Sequence, residues 1–307
     1  MDVIFLGTGA GLPSKERNVS SIALRMLQEQ QSIWLFDCGE ATQHQILHTT
    51  IKPRKIEKIF ITHLHGDHIY GLPGMLSSRS FQSGETPVTL FGPKGLKEYI
   101  ETSLRVSGTT LTYPLIVNEV KEGMLFENEQ FRVSAKQLSH GIACFGYRIE
   151  EKSRPGELQP ERLKAAGIEP GPIYQKIKEN EEITLPDGRT VLRSDFIGPD
   201  KPGRIVTIIG DTRYLPELKE FAANSDLLIH EATFKGDNEE LAYEYFHSTT
   251  RQAAKIAKTA GARKLVMTHI SSRYQSDMEE QLLYEAREIF PASELAQDFH
   301  QVEIPQN

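Results

Sequence analysis

Apolar residues fall along the chain in short runs separated by polar turns. Val3 to Leu6, Ile22 to Leu27, Ile33 to Phe36 and Ile56 to Thr62 are brief and rich in Ile, Val and Phe, which predicts buried strands. Between and after them, apolar positions recur at helical spacing over Glu40 to His48, Ile69 to Ser77, Leu96 to Leu104 and Tyr214 to Ala222. Strands are expected again at Val88 to Phe91, Phe131 to Leu138, Ile205 to Ile209, Leu227 to Ile229 and Leu265 to Thr268. Two helices close the chain: Arg251 to Ala260, stopped by Gly261, and Met278 to Phe290, capped by Ser276. Strands alternating with helices in this way point to an α/β fold.

The pattern changes between about Glu150 and Gly203, where seven prolines crowd a stretch with few long apolar runs. The expected organisation is a main domain built from 1–149 and 204–307, with 150–203 inserted. The insert is not basic overall, with nine Lys or Arg against eleven Asp or Glu, but its part from Lys152 to Lys178 carries six basic and three acidic residues. No repeat of 20 to 50 residues and no low-complexity tract is visible.

Composition then narrows the class. Across 307 residues, 38% are hydrophobic and 25% charged, which excludes disordered, collagen-like and disulfide-scaffold chains. A net charge of −7 gives no bulk positive field for nucleic acid, so any polyanion site must be local. Cys38 and Cys144 are far apart and lack a CxxC spacing, which favours a reducing compartment. The opening residues have neither a basic region nor a long apolar one, and no apolar run reaches membrane-spanning length, so a cytoplasmic protein without a membrane partner is expected.

The densest chemistry is Thr62-His63-Leu64-His65-Gly66-Asp67-His68, directly after the apolar run Ile59-Phe60-Ile61. Three imidazoles and a carboxylate suit zinc, or else manganese, iron or cobalt, and the lack of clustered thiolates argues against a structural zinc ribbon. At a strand end His63 and His65 point to one side, and the following turn lets Asp67 and His68 face a second position. Further ligand types stand at later strand ends: His140, Asp211 and His269. Asp37 is expected to buttress the metal loop by hydrogen bonding to a ligand histidine.

In order along the chain, His63, His65, Asp67, His68, His140, Asp211 and His269 resemble the ligand series of the metallo-β-lactamase superfamily. The resemblance implies an αββα sandwich of two mixed sheets faced by helices, with two metal ions, expected to be zinc, bound at one sheet edge. It implies that His63, His65 and His140 hold one ion, that Asp67, His68 and His269 hold the other, and that Asp211 bridges them. A bridging Asp rather than Cys argues against an antibiotic hydrolase.

Additional motifs resemble the ribonuclease Z family, which removes 3′ trailers from precursor tRNA. They are Pro13-Ser14-Lys15-Glu16-Arg17-Asn18, Phe36-Asp37-Cys38-Gly39-Glu40, His230-Glu231-Ala232-Thr233 and His247-Ser248-Thr249, with Gly171-Pro172 resembling the tip of the family's substrate-gripping arm. The resemblance implies phosphodiester hydrolysis leaving a 3′-hydroxyl on the tRNA and a 5′-phosphate on the trailer. Asp67 would be both ligand and proton acceptor, and His247 the general acid oriented by Glu231. Lys15, Arg17, Asn18, Ser248, Thr249 and Arg273 near the site, and Gly171, Pro172 and Lys176 on the arm, would contact RNA. A homodimer is implied as well. Ser248 and Thr249 also read as helix caps. The alternatives are a binuclear phosphodiesterase or other hydrolase acting on small substrates, and a non-catalytic RNA-binding module, which metal content would separate.

Overall fold

The computed structural model describes residues 1–274 and 276–306, and of Ser276 and Asp277 the backbone alone. The expected Ser276 cap therefore lies outside the described residues. The chain divides into two compact units, Met1–Glu150 with Ile205–Pro305, and Glu151–Arg204 with the last residues.

The larger unit is a sandwich of two seven-stranded sheets. The first runs Gln301–Glu303, Asp2–Gly7, Ser21–Met26, Ser32–Phe36, Ile56–Phe60, Val88–Gly92, Leu115–Glu119. The second runs Ser293–Leu295, Leu265–Thr268, Leu227–Glu231, Ile205–Ile208, Cys144–Glu151, Phe131–Leu138, Gly123–Glu127. Both are mixed: Asp2–Gly7 pairs antiparallel with Ser21–Met26, whereas Ser32–Phe36, Ile56–Phe60 and Val88–Gly92 run parallel.

Side-chain alternation along the strands creates the layers. Val3, Phe5, Trp34, Phe36 and Phe60 face Phe131, Tyr147, Val206 and Ile229 across the space between the sheets. Ile4, Leu6, Ile33 and Leu35 point the other way, onto Ile46, Leu72, Met75, Leu76 and Ile100 of the helices covering the first sheet. The second sheet presents Leu228, Leu265 and Met267 to Ala253, Ile256 and Leu282 of helices Thr250–Ala260 and Ser276–Arg287. The order helix, sheet, sheet, helix is the αββα arrangement.

Two expected helices came out differently. The Tyr214 to Ala222 pattern forms a helix only over Leu218–Phe221, because Pro216 holds Leu215 out of helical geometry. The Ile69 to Ser77 pattern divides into Gly66–Ile69 and Leu72–Phe81 around Gly71. A Cβ at Gly71 would lie 2.0 Å from the Gly39 carbonyl oxygen, so this glycine permits the close backbone contact behind the histidine loop.

The smaller unit contains helices Pro160–Ala165 and Pro172–Glu179 and a hairpin of Glu182–Thr184 with Thr190–Leu192. Leu163, Ile168, Ile177, Leu185 and Phe196 form its own core. At its base the buried Arg204 Nε donates to Glu151 Oε2 at 2.7 Å. Among the described residues no helix is long and apolar enough to cross a membrane.

Candidate active site

The strands of the sandwich deliver chemistry at their carboxyl ends, where α/β folds place ligands. The Thr62 to His68 loop leaves Ile56–Phe60; His140 follows Phe131–Leu138; Asp211 follows Ile205–Ile208; Glu231 ends Leu227–Glu231; and His269 follows Leu265–Thr268. The last of these turns, and the one after Ser32–Phe36, use left-handed backbone at residues other than glycine, His269 with φ 59° and Asp37 with φ 57°. Such conformations persist where the surroundings fix them.

Seven expected ligands converge into two groups. His63 Nε2 and His140 Nε2 lie 3.0 and 3.1 Å from His65 Nδ1. In the second group His68 Nε2 is 3.3 Å from Asp67 Oδ2 and 3.3 Å from His269 Nε2, which is itself 3.4 Å from Asp67 Oδ2. Asp211 Oδ2 stands between the groups, 3.7 Å from His63, 3.5 Å from His68 and 3.3 Å from His269. Zinc–nitrogen bonds of about 2.0 Å set neighbouring tetrahedral donors about 3.3 Å apart, so nitrogen and oxygen donors at these spacings fit such ions.

The far sides of the His63, His68, His140 and His269 rings are held by hydrogen bonds that decide which nitrogen turns inward. His68 Nδ1 donates to Asp37 Oδ2 at 2.7 Å, and Asp37 also accepts from the Thr62 amide at 2.7 Å and the Thr62 hydroxyl at 2.9 Å. Because that hydroxyl gives its proton to Asp37, it accepts from His63 Nδ1 at 3.0 Å. The Thr233 hydroxyl likewise donates to Glu231 Oε2 and accepts from His269 Nδ1, both at 2.9 Å. His140 Nδ1 donates to the Phe246 carbonyl at 3.1 Å. Gly11 N–H closes the set on Asp67 Oδ2 at 2.9 Å.

Electrostatics follow from the same contacts. Burial would raise the Asp67 carboxyl, but its hydrogen bonds to His269 and His68 win and hold it far below the usual carboxylate range. Burial opposes charge on His68 too, and Asp211 with Asp37 overcomes it, pushing that imidazole well above its ordinary value. His63 goes the other way, lowered by burial and then by the neighbouring His68. Burial works against the His247 cation, yet the Glu231 carboxylate lifts this group from 6.5 to about 9.

Glu231 is the hub of the outer layer. Its Oε1 accepts from Thr212 N–H, Ser248 N–H and His247 Nδ1 at 3.1, 2.9 and 3.1 Å, and its Oε2 from the Thr233 amide and hydroxyl. Five protein donors thus converge on its two buried oxygens. His247 Nδ1 is 3.9 Å from Asp211 Oδ2 and occupied by Glu231, which leaves Nε2 as its remaining donor.

Residues expected to touch substrate divide by exposure. A cleft of about 280 Å³ lined by His65, Asp67, His140, Asp211, His269 and His247 also takes in Phe234, Tyr245, Ser271 and Arg273, whose guanidinium lies 5.0 Å over the Phe234 ring. Lys15 is exposed. Arg17 is a correction: it is only 5% exposed, donating to Thr8 Oγ1, the Ala296 carbonyl and Glu279, so its guanidinium anchors the loop and is not presented to RNA. Asn18 is held by Asp298 and Glu40. Ser248 and Thr249 are buried too: the Ser248 hydroxyl donates to the Thr212 carbonyl, and Thr249 forms a capping box with Gln252. Of the two caps that the sequence also allowed, Thr249 is the one that forms, Ser248 instead ties its turn to Thr212, and neither side chain reaches solvent. In the smaller unit, Gly171, Pro172 and Lys176 are exposed around the start of helix Pro172–Glu179.

Sequence reasoning passed over the Thr62 and Thr233 hydroxyls, the Phe246 carbonyl, and Phe234 and Tyr245 in the cleft. Thr62 and Thr233 each sit inside a motif already singled out, next to or two residues from an ionisable group. The Phe246 carbonyl has no sequence signal at all.

Residues 1–152 match the family model "Anti-Pycsar protein Apyc1", and residues 194–270 match "Beta-lactamase superfamily domain". The chain is 59% identical over 304 residues to ribonuclease Z of Bacillus licheniformis, covering 99% of each chain. It is 58% identical over 305 residues to ribonuclease Z of Bacillus subtilis, again covering 99% of each. The solved structure of the human tRNase Z short form is similar with a TM-score of 0.74 and 33% identity, over 99% of this chain and 100% of that one.

Proposed function

Because the chain belongs to the ribonuclease Z family, the endoribonucleases that process the 3′ end of tRNA, we propose that its strand-end cluster holds two zinc ions and cuts the precursor to leave a 3′-hydroxyl on the tRNA. The observation that carries this reading is Asp211 Oδ2, between one group of three imidazole nitrogens and a second group of carboxylate and imidazoles. His63, His65 and His140 would hold one ion, and Asp67, His68 and His269 the other, with Asp211 shared. When bound, such a pair lowers the pKa of water and offsets charge on the phosphoryl oxygens.

The protein's own groups do the rest. Asp67 would hold metal and also accept the proton released in the attack, its Oδ2 steadied by the Gly11 N–H. The leaving 3′ oxygen needs a proton, and His247 Nε2 is the donor, with Glu231 fixing the ring through Nδ1 and keeping it charged at neutral pH. Asp37, Thr62 and Thr233 hold the ligand rings in the orientation that turns the correct nitrogen inward. Arg273, stacked at the cleft, contacts a phosphate beside the cut, and exposed Lys15 meets the 3′ end.

The smaller unit is the arm that grips folded RNA, through Lys152, Arg154, Arg162, Lys164, Lys176 and Lys178, with Gly171-Pro172 at its tip. Phosphate contacts of this kind position without reading sequence and make binding fall steeply with salt. The working unit is a cytoplasmic homodimer. A comparison of kcat/KM for 3′-extended precursor tRNA and a small chromogenic diester tests the assignment. Preference for the RNA by several orders of magnitude, lost on deleting residues 157–192 while the diester is still cut, is the expected result. Equal preference for the diester would move the protein to the small-substrate phosphodiesterases.

A further inference from the structure

Helix Glu239–Glu244 ends in a pattern whose residue types are out of place. His247 N–H reaches back to the Ala242 carbonyl at 2.8 Å, and Phe246 N–H to the Tyr243 carbonyl at 3.3 Å. Phe246 itself has φ 61°. Paired backbone bonds around a left-handed residue form the usual close of a helix, and that residue is ordinarily glycine, because a Cβ there crowds the adjacent carbonyl. A phenylalanine carries that backbone cost, so its ring must contribute something glycine cannot.

The ring's partner is Arg213. The guanidinium carbon lies 3.6 Å from the Phe246 ring centroid and 3.9 Å from that of Tyr243, while Nε donates to the Tyr243 carbonyl at 2.6 Å. The Arg213 amide donates to the Ser139 carbonyl at 2.9 Å. One residue thus ties together three loops: its own, carrying Asp211; the one carrying Ser139 and His140; and the one carrying Phe246 and His247. The Phe246 carbonyl is also the acceptor for His140 Nδ1, and the rings of His140 and His247 lie 5.4 Å apart.

We propose that Arg213 and Phe246 form a clasp that positions His140 and His247 relative to Asp211. Both are positioning residues. The left-handed turn aims the Phe246 carbonyl at His140 Nδ1, which turns His140 Nε2 inward, and the same turn sets where His247 leaves the helix. The planar guanidinium holds the turn by covering both rings while bonding the helix-end carbonyl, a geometry that a lysine ammonium cannot reproduce. The inference rests on the reading of His140 as a metal ligand and His247 as the acid.

The test compares the zinc-loaded wild type with Arg213→Ala, Arg213→Lys, Phe246→Gly and Phe246→Tyr. Each is examined by chelator competition for metal equivalents, by thermal unfolding, and by kcat and KM on precursor tRNA. Both arginine variants should bind one of two metal equivalents 10- to 100-fold more weakly, roughly the effect of losing an outer partner of a ligand. Their kcat should fall while KM stays within about twofold, since neither residue touches RNA. Phe246→Gly is the decisive variant. It gives the turn its preferred residue, so Tm should hold or rise, yet metal affinity and kcat should drop; Phe246→Tyr should restore both. Wild-type metal binding and kcat in Phe246→Gly, or full function in Arg213→Lys, would overturn the clasp. A wild type holding fewer than two equivalents would instead overturn the two-metal reading, and the clasp would then stand or fall on kcat alone.

Discussion

Replacing Glu231 with glutamine removes one charge from the site at almost constant shape. In the native arrangement the carboxylate lifts His247 from 6.5 to about 9 against the effect of burial, a change worth about 3 kcal/mol. At pH 7.5 a group titrating near 9 is about 97% protonated, whereas one at the ordinary value is about 10% protonated. The raised value means that the protonated acid persists until pH climbs through about 9, so activity that needs it should decline only on that alkaline limb. In Glu231→Gln the ring loses the carboxylate that raises it most, so the alkaline decline should start at lower pH, with a rate at pH 7.5 up to roughly tenfold lower. Stability falls too. Whichever way the amide turns, its NH2 meets an N–H donor, from Thr212 or Ser248 on one side or Thr233 on the other. The cost is about 3 kcal/mol. The assay is kcat against pH for precursor tRNA, with metal content and Tm measured on the same samples. An unchanged alkaline limb in metal-replete, folded Glu231→Gln would refute the assignment of His247 as the acid.

Other perturbations follow from single contacts. Asp37→Asn deprives His68 Nδ1 of its carboxylate and should weaken one metal equivalent about 10- to 100-fold in chelator competition, with little change in the other. Arg17→Met breaks a buried network with Glu279, Thr8 and the Ala296 carbonyl, and should lower stability by about 3 kcal/mol while leaving the salt slope of RNA binding unchanged; a shallower slope would return Arg17 to the RNA surface. Gly71→Ala would drive a Cβ to 2.0 Å from the Gly39 oxygen, and should lower Tm by several degrees and impair metal loading, since both glycines back the histidine loop.

Much of the sandwich was visible in the chain because buried strands carry consecutive Ile, Val, Leu and Phe. Asp2–Gly7, Ser32–Phe36 and Val88–Gly92 announce themselves this way, and Phe131–Leu138 does so by alternation, with Phe131, Val133 and Ala135 buried. Leu115–Glu119 and Gly123–Glu127 do not, for they close the two sheets at an edge and leave most of their side chains exposed. Cys144–Glu151 hides behind Gly146 and the charged Arg148, Glu150 and Glu151, although most of it is buried. Ser293–Leu295 and Gln301–Glu303 are too short to show a period.

At the site, the residue types with strong chemistry could be read, because seven His and Asp residues at strand ends have few other reasons to recur. The contacts that aim them could not. The bond from His140 to the Phe246 carbonyl joins residues 106 apart through a backbone atom that every residue possesses. Arg17 was misjudged for a related reason: a basic residue in a polar loop looks exposed until the fold supplies Glu279 from far along the chain.

The central claim is that two metal groups sharing Asp211 carry out a 3′-end cut on precursor tRNA. Its most direct test is to strip the protein with chelator, return zinc stepwise, and follow cleavage of a 3′-extended precursor while mapping both new ends. Activity absent in the stripped protein, rising to a plateau at two equivalents per chain, with a 3′-hydroxyl on the tRNA and a 5′-phosphate on the trailer, is the result predicted. Cleavage that survives stripping, or a 2′,3′-cyclic phosphate at the tRNA end, would contradict it.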